Sequence, residues 1–257
     1  MKRILVKISY LGAEFYGSQA QPGLRTVESQ VKSDISKICN IGEESDVRFS
    51  SRTDKGVNAL GNAVAFFTPI EDGQVLLRAL NAVSDGIFYR SFCFVGEDFN
   101  VRYASYRTYR YILPSKNMNF DLARECAKIF LGEHDFVRFC KYDGKPTIAN
   151  IESINVVRKG DTVVLEFKAR FFLWNMIRRI SSAIHRVSIG KASVESVKEA
   201  LNGKNISFGM GRPDALTLLD VEYDWLNFED ARGKEYLKRS EELTFSEHIR
   251  QSFFDSL

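Results

Sequence analysis

The feature that most constrains the fold is an order of segments that occurs twice. Residues 3–10 alternate, with Ile4, Val6, Ile8 and Tyr10 on one side and Lys7 and Ser9 on the other, the period of a half-buried strand. Thr26 can cap a helix whose apolar positions Val27, Val31, Ile35 and Ile38 recur at helical spacing, with a stop near Gly42. Residues 47–50 and 63–68 read as strands, the second stopped by Pro69. Val75, Leu76, Leu80 and Val83 then mark a helix, and residues 88–95 a strand. The same order returns downstream. Residues 106–113 form a strand ended by Pro114, and Asp121 caps a helix through Leu122, Cys126, Ile129 and Phe130, with Gly132 as its stop. Residues 151–157 and 163–171 predict a hairpin around Lys159-Gly160-Asp161. A helix from Leu173 to Val187 follows, buried through Met176, Ile177, Ile180 and Ile184. Ser193 caps a short helix reaching Gly203, and residues 216–223 make a last strand.

Two successive β-α-β-β-α-β units predict an α+β protein built from two ferredoxin-like halves, residues 1–104 and 105–228, whose antiparallel sheet carries flanking helices. Residues 229–257 carry more acidic than basic side chains and few core-type positions, and read as a peripheral helix or tail. With 257 residues, 44% of them hydrophobic and 27% charged, the chain can bury a substantial core. No apolar run approaches the roughly 20 residues that span a bilayer. Lys7 interrupts the N-terminal apolar stretch too early for a signal peptide. A soluble, intracellular and cytoplasmic protein without membrane association is the expectation.

Metal and disulfide chemistry find little footing. Cys39, Cys93, Cys126 and Cys140 form no C-x-x-C pair, and no histidine lies near them at ligand spacing. His134, His185 and His248 make no H-E-x-x-H pattern, so a catalytic metal would have to rely on carboxylates. Net charge is only +3, but its distribution is uneven. No acidic residue stands between Glu166 and Glu195, a stretch holding Lys168, Arg170, Arg178, Arg179, Arg186 and Lys191. Residues 102–111 interleave Arg102, Arg107 and Arg110 with Tyr103, Tyr106, Tyr109 and Tyr111. Segregated positive charge with aromatics suits a polyanion carrying stackable bases. It equally suits two amphipathic elements whose polar faces are basic.

The most unusual segment runs from Phe49 to Asn62 and contains Ser50-Ser51-Arg52-Thr53-Asp54-Lys55-Gly56-Val57. Cations on either side of Asp54 favour its ionised form, which suits a nucleophile or an ionised base rather than a general acid. The same residues could form a polar turn in which Asp54 bonds nearby backbone.

This segment resembles the signature loop of the tRNA pseudouridine synthase A family, where an aspartate follows Arg-Thr and precedes x-Gly-Val. The resemblance extends over roughly residues 3–225, in family order. It includes Tyr10-Leu11-Gly12-Ala13-Glu14-Phe15-Tyr16-Gly17 with Thr26-Val27-Glu28, Asp98-Phe99-Asn100-Val101-Arg102-Tyr103 with Tyr109-Arg110-Tyr111, and Gly132-Glu133-His134-Asp135-Phe136. Phe172-Leu173-Trp174-Asn175-Met176-Ile177-Arg178-Arg179-Ile180, in a form similar to archaeal members, and Arg212-Pro213-Asp214-Ala215-Leu216 complete it. Ser51, Asn58, Ser18 and Leu11 depart from the family's usual glycine, histidine, tryptophan and aspartate.

The resemblance implies an isomerase that converts uridine to pseudouridine in the anticodon stem-loop of tRNA, at positions 38 to 40, without cofactor or metal, as a homodimer. It makes Asp54 the catalytic aspartate, Arg178 its partner, Tyr109 the residue stacking on the target base, and Arg52 the residue that helps extrude the uridine. Arg102, Arg107, Arg110, Lys168, Arg170, Arg179 and Arg186 become candidate RNA contacts. The competing readings are a non-catalytic RNA-binding or chaperoning protein on the same scaffold and, more remotely, a carboxylate-dependent metal hydrolase.

Overall fold

In the computed structural model, which describes residues 1–42 and 46–232, both halves adopt the expected order. The first half runs β1 (Lys2–Tyr10), α1 (Val27–Cys39), β2 (Arg48–Phe49), β3 (Asn58–Thr68), α2 (Gly73–Val83) and β4 (Phe88–Val95). The second runs β5 (Tyr106–Pro114), α3 (Phe120–Ile129), β6 (Gly132–Asp135), β7 (Ile148–Ile151), β8 (Ser153–Lys159), β9 (Thr162–Ala169), α4 (Met176–Ser188), α5 (Val194–Leu201) and β10 (Leu216–Glu222). A short strand, β11 (Glu229–Asp230), follows.

One sheet spans both halves. Its order is β11-β4-β1-β3-β10-β5-β9-β8, with β2 also on β3. Each half therefore places its strands in the same spatial sequence, fourth-first-third-second. The halves meet along a single parallel contact, where Asn58 and Ala59 of β3 pair with Thr217 and Leu218 of β10. All other pairings are antiparallel. One edge of β3 pairs with β1 along its length; the other is divided, its first residues bonding β10 and its Val64–Ala65 end bonding β2. Gly61 lies at this division, where a Cβ would come within 2.6 Å of the Leu219 carbonyl oxygen. Only glycine admits that approach.

The helices cover the alternating apolar face that the strand pattern demands. Ile4, Val6, Ile8, Phe66, Val27, Val31, Ile35, Leu76 and Leu80 are fully buried, each contributing about 1.5–3 kcal/mol of transfer free energy. Thr26 caps α1 through a reciprocal pair of bonds with Ser29, and Asn40 ends the helix at φ 50°. Beyond β10, residues 223–230 cross from the seam to the outer edge of β4. Lys7 Nζ lies 5.0 Å from the Phe228 ring centre and 5.8 Å from that of Tyr223, and β11 then pairs with Phe92 and Ser91.

Several boundaries differ from the sequence expectation. Asn119, not Asp121, caps α3, accepting from the N–H groups of Asp121 and Leu122, while Asp121 sits in the first turn. Gly132 opens β6 instead of simply stopping α3. Ile151 belongs to β7, which forms a separate two-stranded sheet with β6. The helix expected from Leu173 begins at Met176, because Asn175 takes a left-handed conformation at φ 62°. Residues 229–230 join the sheet, and 233–257 of the expected tail lie outside the described residues. Among the described residues no helix is long and apolar enough to cross a membrane.

Candidate active site

The site forms where the sheet's two halves part. β2 ends at Phe49, and residues 50–57 leave the sheet before the chain re-enters it as β3. Burial alternates along this loop: Ser51 and Thr53 point inward, Arg52 and Lys55 outward, and Asp54 lies at the boundary.

The inward side chains rest on a buried polar network. Thr53 Oγ1 lies 2.8 Å from the Tyr10 hydroxyl, and Asn62 Nδ2 donates to that hydroxyl at 3.2 Å and to the Ser51 carbonyl at 2.9 Å. Ser18 bonds Thr53 twice: its N–H donates to the Thr53 carbonyl at 2.9 Å, and its hydroxyl accepts from the Thr53 N–H at 2.8 Å. Burial drives the Tyr10 phenol up to about 12, against the hydrogen bonds from Thr53 and Asn62, so the network stays neutral. Gly12 is packed so closely that a Cβ there would stand 2.4 Å from the carbonyl carbon of Gly56 and the carbonyl oxygen of Val57. Its N–H donates to Asn58 Oδ1, and Asn58 Nδ2 donates to the Asp214 carbonyl, so Asn58 ties the loop's exit to both neighbours.

Asp54 itself is held from the second half. Arg178, in the first turn of α4, donates from Nη1 to Asp54 Oδ2 at 3.2 Å. Arg178 Nε donates to the Gly211 carbonyl at 2.9 Å, and Nη1 also reaches Asn175 Oδ1 at 3.2 Å. Asn175 precedes α4 but caps none of its N–H groups; its carboxamide is spent on Arg178. Trp174 Nε1 donates to Asp54 Oδ1 at 3.1 Å, a contact the sequence reading missed.

Tyr109 comes to the same place from β5. Its ring is 7% exposed and meets Phe172 edge-on at 5.3 Å between centres. Burial pushes its phenol up, opposed by the charge of Arg107 and a hydrogen bond with Ser51. Arg52 is exposed; burial would raise the Glu28 carboxyl, but the Ala20 N–H, then Lys32 and least of all the charge of Arg52 hold it below its ordinary value.

The basic residues divide. Arg107 is only 8% exposed and faces inward: Nε donates to Ser51 Oγ at 3.0 Å, Nη2 to Ser50 Oγ at 3.1 Å and to the Arg102 carbonyl at 3.0 Å, and Nη1 to the Arg170 carbonyl. Its donors are taken up by the Asp54 loop and the residues beside it, and it shares the face of β5 that carries Tyr109. Arg110 and Lys168 lie on the opposite face of the sheet, paired with Glu166 at 3.9 Å and Glu222 at 2.6 Å. Neither is brought to Asp54. Arg102, Arg170 and Arg186 are exposed, and Arg179 is partly buried on the same α4 face as Arg186. Among the described residues no three His, Cys, Asp or Glu side chains gather as a metal-binding group.

Comparison with known proteins places this geometry. The family described as tRNA pseudouridine synthase matches residues 126–224. A protein of Pyrococcus abyssi named tRNA pseudouridine synthase A is 37% identical over 258 aligned residues, 98% of this chain and 96% of that protein. One of the same name from Methanobrevibacter smithii is 34% identical, covering 89% of this chain and 86% of its own. Among solved structures, a chain of a Cbf5-Nop10-Gar1 complex aligns with 82% of this chain and 47% of its own at 15% identity and a TM-score of 0.37.

Proposed function

This chain belongs to the tRNA pseudouridine synthase A family, and from that premise we propose that it isomerises uridine to pseudouridine in the anticodon stem-loop of tRNA, at positions 38–40, with Asp54 as the catalytic carboxylate. The observation that carries the reading is the convergence of Asp54, Arg178 and Tyr109 from opposite halves of the sheet onto one seam. The reaction breaks the C1′–N1 glycosidic bond, turns the base, joins C1′ to C5, releases the C5 hydrogen as a proton and leaves N1 protonated from solvent. It needs a carboxylate held at the sugar or base, and the Arg178 guanidinium holds Asp54 in place.

The target base must leave its stack to reach Asp54. Arg52, exposed one residue short of the buried Thr53, fills the vacated position, and the Tyr109 ring stacks on the flipped base. Arg102, Arg170, Arg179 and Arg186 contact phosphates around the cleft. The active form is a homodimer in the cytoplasm, with one tRNA lying across both subunits.

The experiment is tritium release from an unmodified tRNA transcript labelled at uridine C5, with Asp54→Asn alongside. Release by the native chain and none by the variant is expected. Tight tRNA binding without release, across several transcripts, would overturn the assignment in favour of a non-catalytic RNA-binding protein.

A further inference from the structure

Resting on the reading of Asp54 as catalytic, we infer that Trp174 is a positioning residue whose indole N–H locks the orientation of the Asp54 carboxylate. A carboxylate on a loop is free to rotate about its last side-chain bond, and a single donor leaves much of that freedom. Here each oxygen has its own donor: Arg178 Nη1 on Oδ2 at 3.2 Å and Trp174 Nε1 on Oδ1 at 3.1 Å. Two donors arriving on different oxygens fix the plane. Each oxygen keeps a further lone pair, so Oδ1 remains able to act while bonded.

The indole is itself held. Lys141 Nζ sits over its ring at 3.8 Å, and the Lys141 N–H donates to the Trp174 carbonyl at 2.8 Å. Asn175, in its left-handed conformation, turns the chain between Trp174 and α4, so that Trp174 stands outside the helix while Arg178 projects from its first turn. An ordinary helical start at Leu173 would place both residues one turn apart on one face. The left-handed turn lets them approach separate oxygens instead. A tryptophan kept for packing would be buried, but this ring is 45% exposed. Its one polar atom points at the carboxylate.

The test separates the N–H from the ring. Trp174→Phe keeps an aromatic ring and removes the donor. Trp174→His restores it, because imidazole Nε2 lies as many bonds from Cβ as indole Nε1 and on a ring of the same size. Single-turnover tritium release and tRNA affinity are measured for both, with native protein, Asp54→Asn and a thermal melt as controls. Trp174→Phe is expected to lower the single-turnover rate about 10- to 100-fold with tRNA affinity and melting temperature unchanged, and Trp174→His to recover most of that loss. A Phe variant as fast as native protein, or a His variant as slow as the Phe variant, would overturn the inference while leaving Asp54 untouched. Absence of release from native protein would remove the reading on which it rests.

Discussion

The second strand of each half occupies the same place in the fold, and the two could hardly be treated more differently. In the second half that strand, β8, runs for seven residues and pairs with β9 along its whole length. In the first half it is β2, two residues long. The pairing that β2 gives up on β3 is taken by β10, and the eight residues between β2 and β3 are released to carry Asp54. A plan used twice thus yields a structural edge in one half and the loop that carries Asp54 in the other. The difference shows that this site is made by shortening a strand. Backbone groups that a full strand would have paired in a ladder are bonded instead by the side chains of Ser18, Asn62 and Arg107.

If that substitution of side-chain bonds for ladder bonds is right, the largest effect falls on Arg107. Arg107→Met takes a donor from two serine hydroxyls and three carbonyls, and is expected to cost about 3–5 kcal/mol in chemical denaturation and to abolish tritium release. Gly61→Ala attacks the seam itself by driving a methyl against the Leu219 carbonyl; about 1–3 kcal/mol of lost stability is expected, with a fall in activity exceeding it. Similar destabilisation with full activity would mean that the seam's alignment does not govern the site.

A subtler contrast lies within α4, whose head holds Asp54 and whose tail holds His185. Burial first, then the charges of Lys191 and Arg186, lower the His185 imidazole below its ordinary value of 6.5. A folded value below the unfolded one means that its stabilising contribution is present above about pH 6.5 and is lost as pH falls below it. Stability measured across that window should decline on acidification, and His185→Gln should flatten the decline. The smallest effect is expected on β8: Val157→Lys, at a position 47% exposed, should change stability by no more than about 0.5 kcal/mol and leave tritium release intact. A large loss there would erase the distinction between edge and loop.

Much of this was legible in the amino-acid order, because strand and helix periods are local properties. The seam was not. Periodicity marks β3 and β10 as strands but carries no information about which edge each offers, and only Gly61 hints at the close approach between them. The β6–β7 hairpin escaped because Gly132-Glu133-His134-Asp135 has no apolar alternation to announce a strand. Asn119 and Asp121 both stand at plausible capping positions, and packing, not propensity, chose the first. For the candidate site, the motifs named Asp54 and Arg178, whose side chains meet in the structure. Arg107 was read only as a candidate RNA contact, while its two-residue spacing from Tyr109 put it on the same buried face of β5 and could have signalled the bonds it makes to the Asp54 loop. Trp174 had no comparable signal, since the turn at Asn175 that aims it depends on tertiary contacts.

The strap of residues 223–230 has a consequence for how the molecule is made. The first half presents an unpaired stretch of β3 and the outer edge of β4 until β10 and β11 arrive, more than a hundred residues later in the chain. During synthesis at the ribosome, that half emerges with both edges open and with Lys7 not yet covered by Tyr223 and Phe228. Contacts so distant in sequence close slowly, because the entropy of the intervening loop must be overcome first. The Asp54 loop has its Tyr10, Ser18 and Asn62 contacts within the first half, but the two donors on its carboxylate come from Trp174 and Arg178, so a product truncated before them would hold Asp54 without those donors.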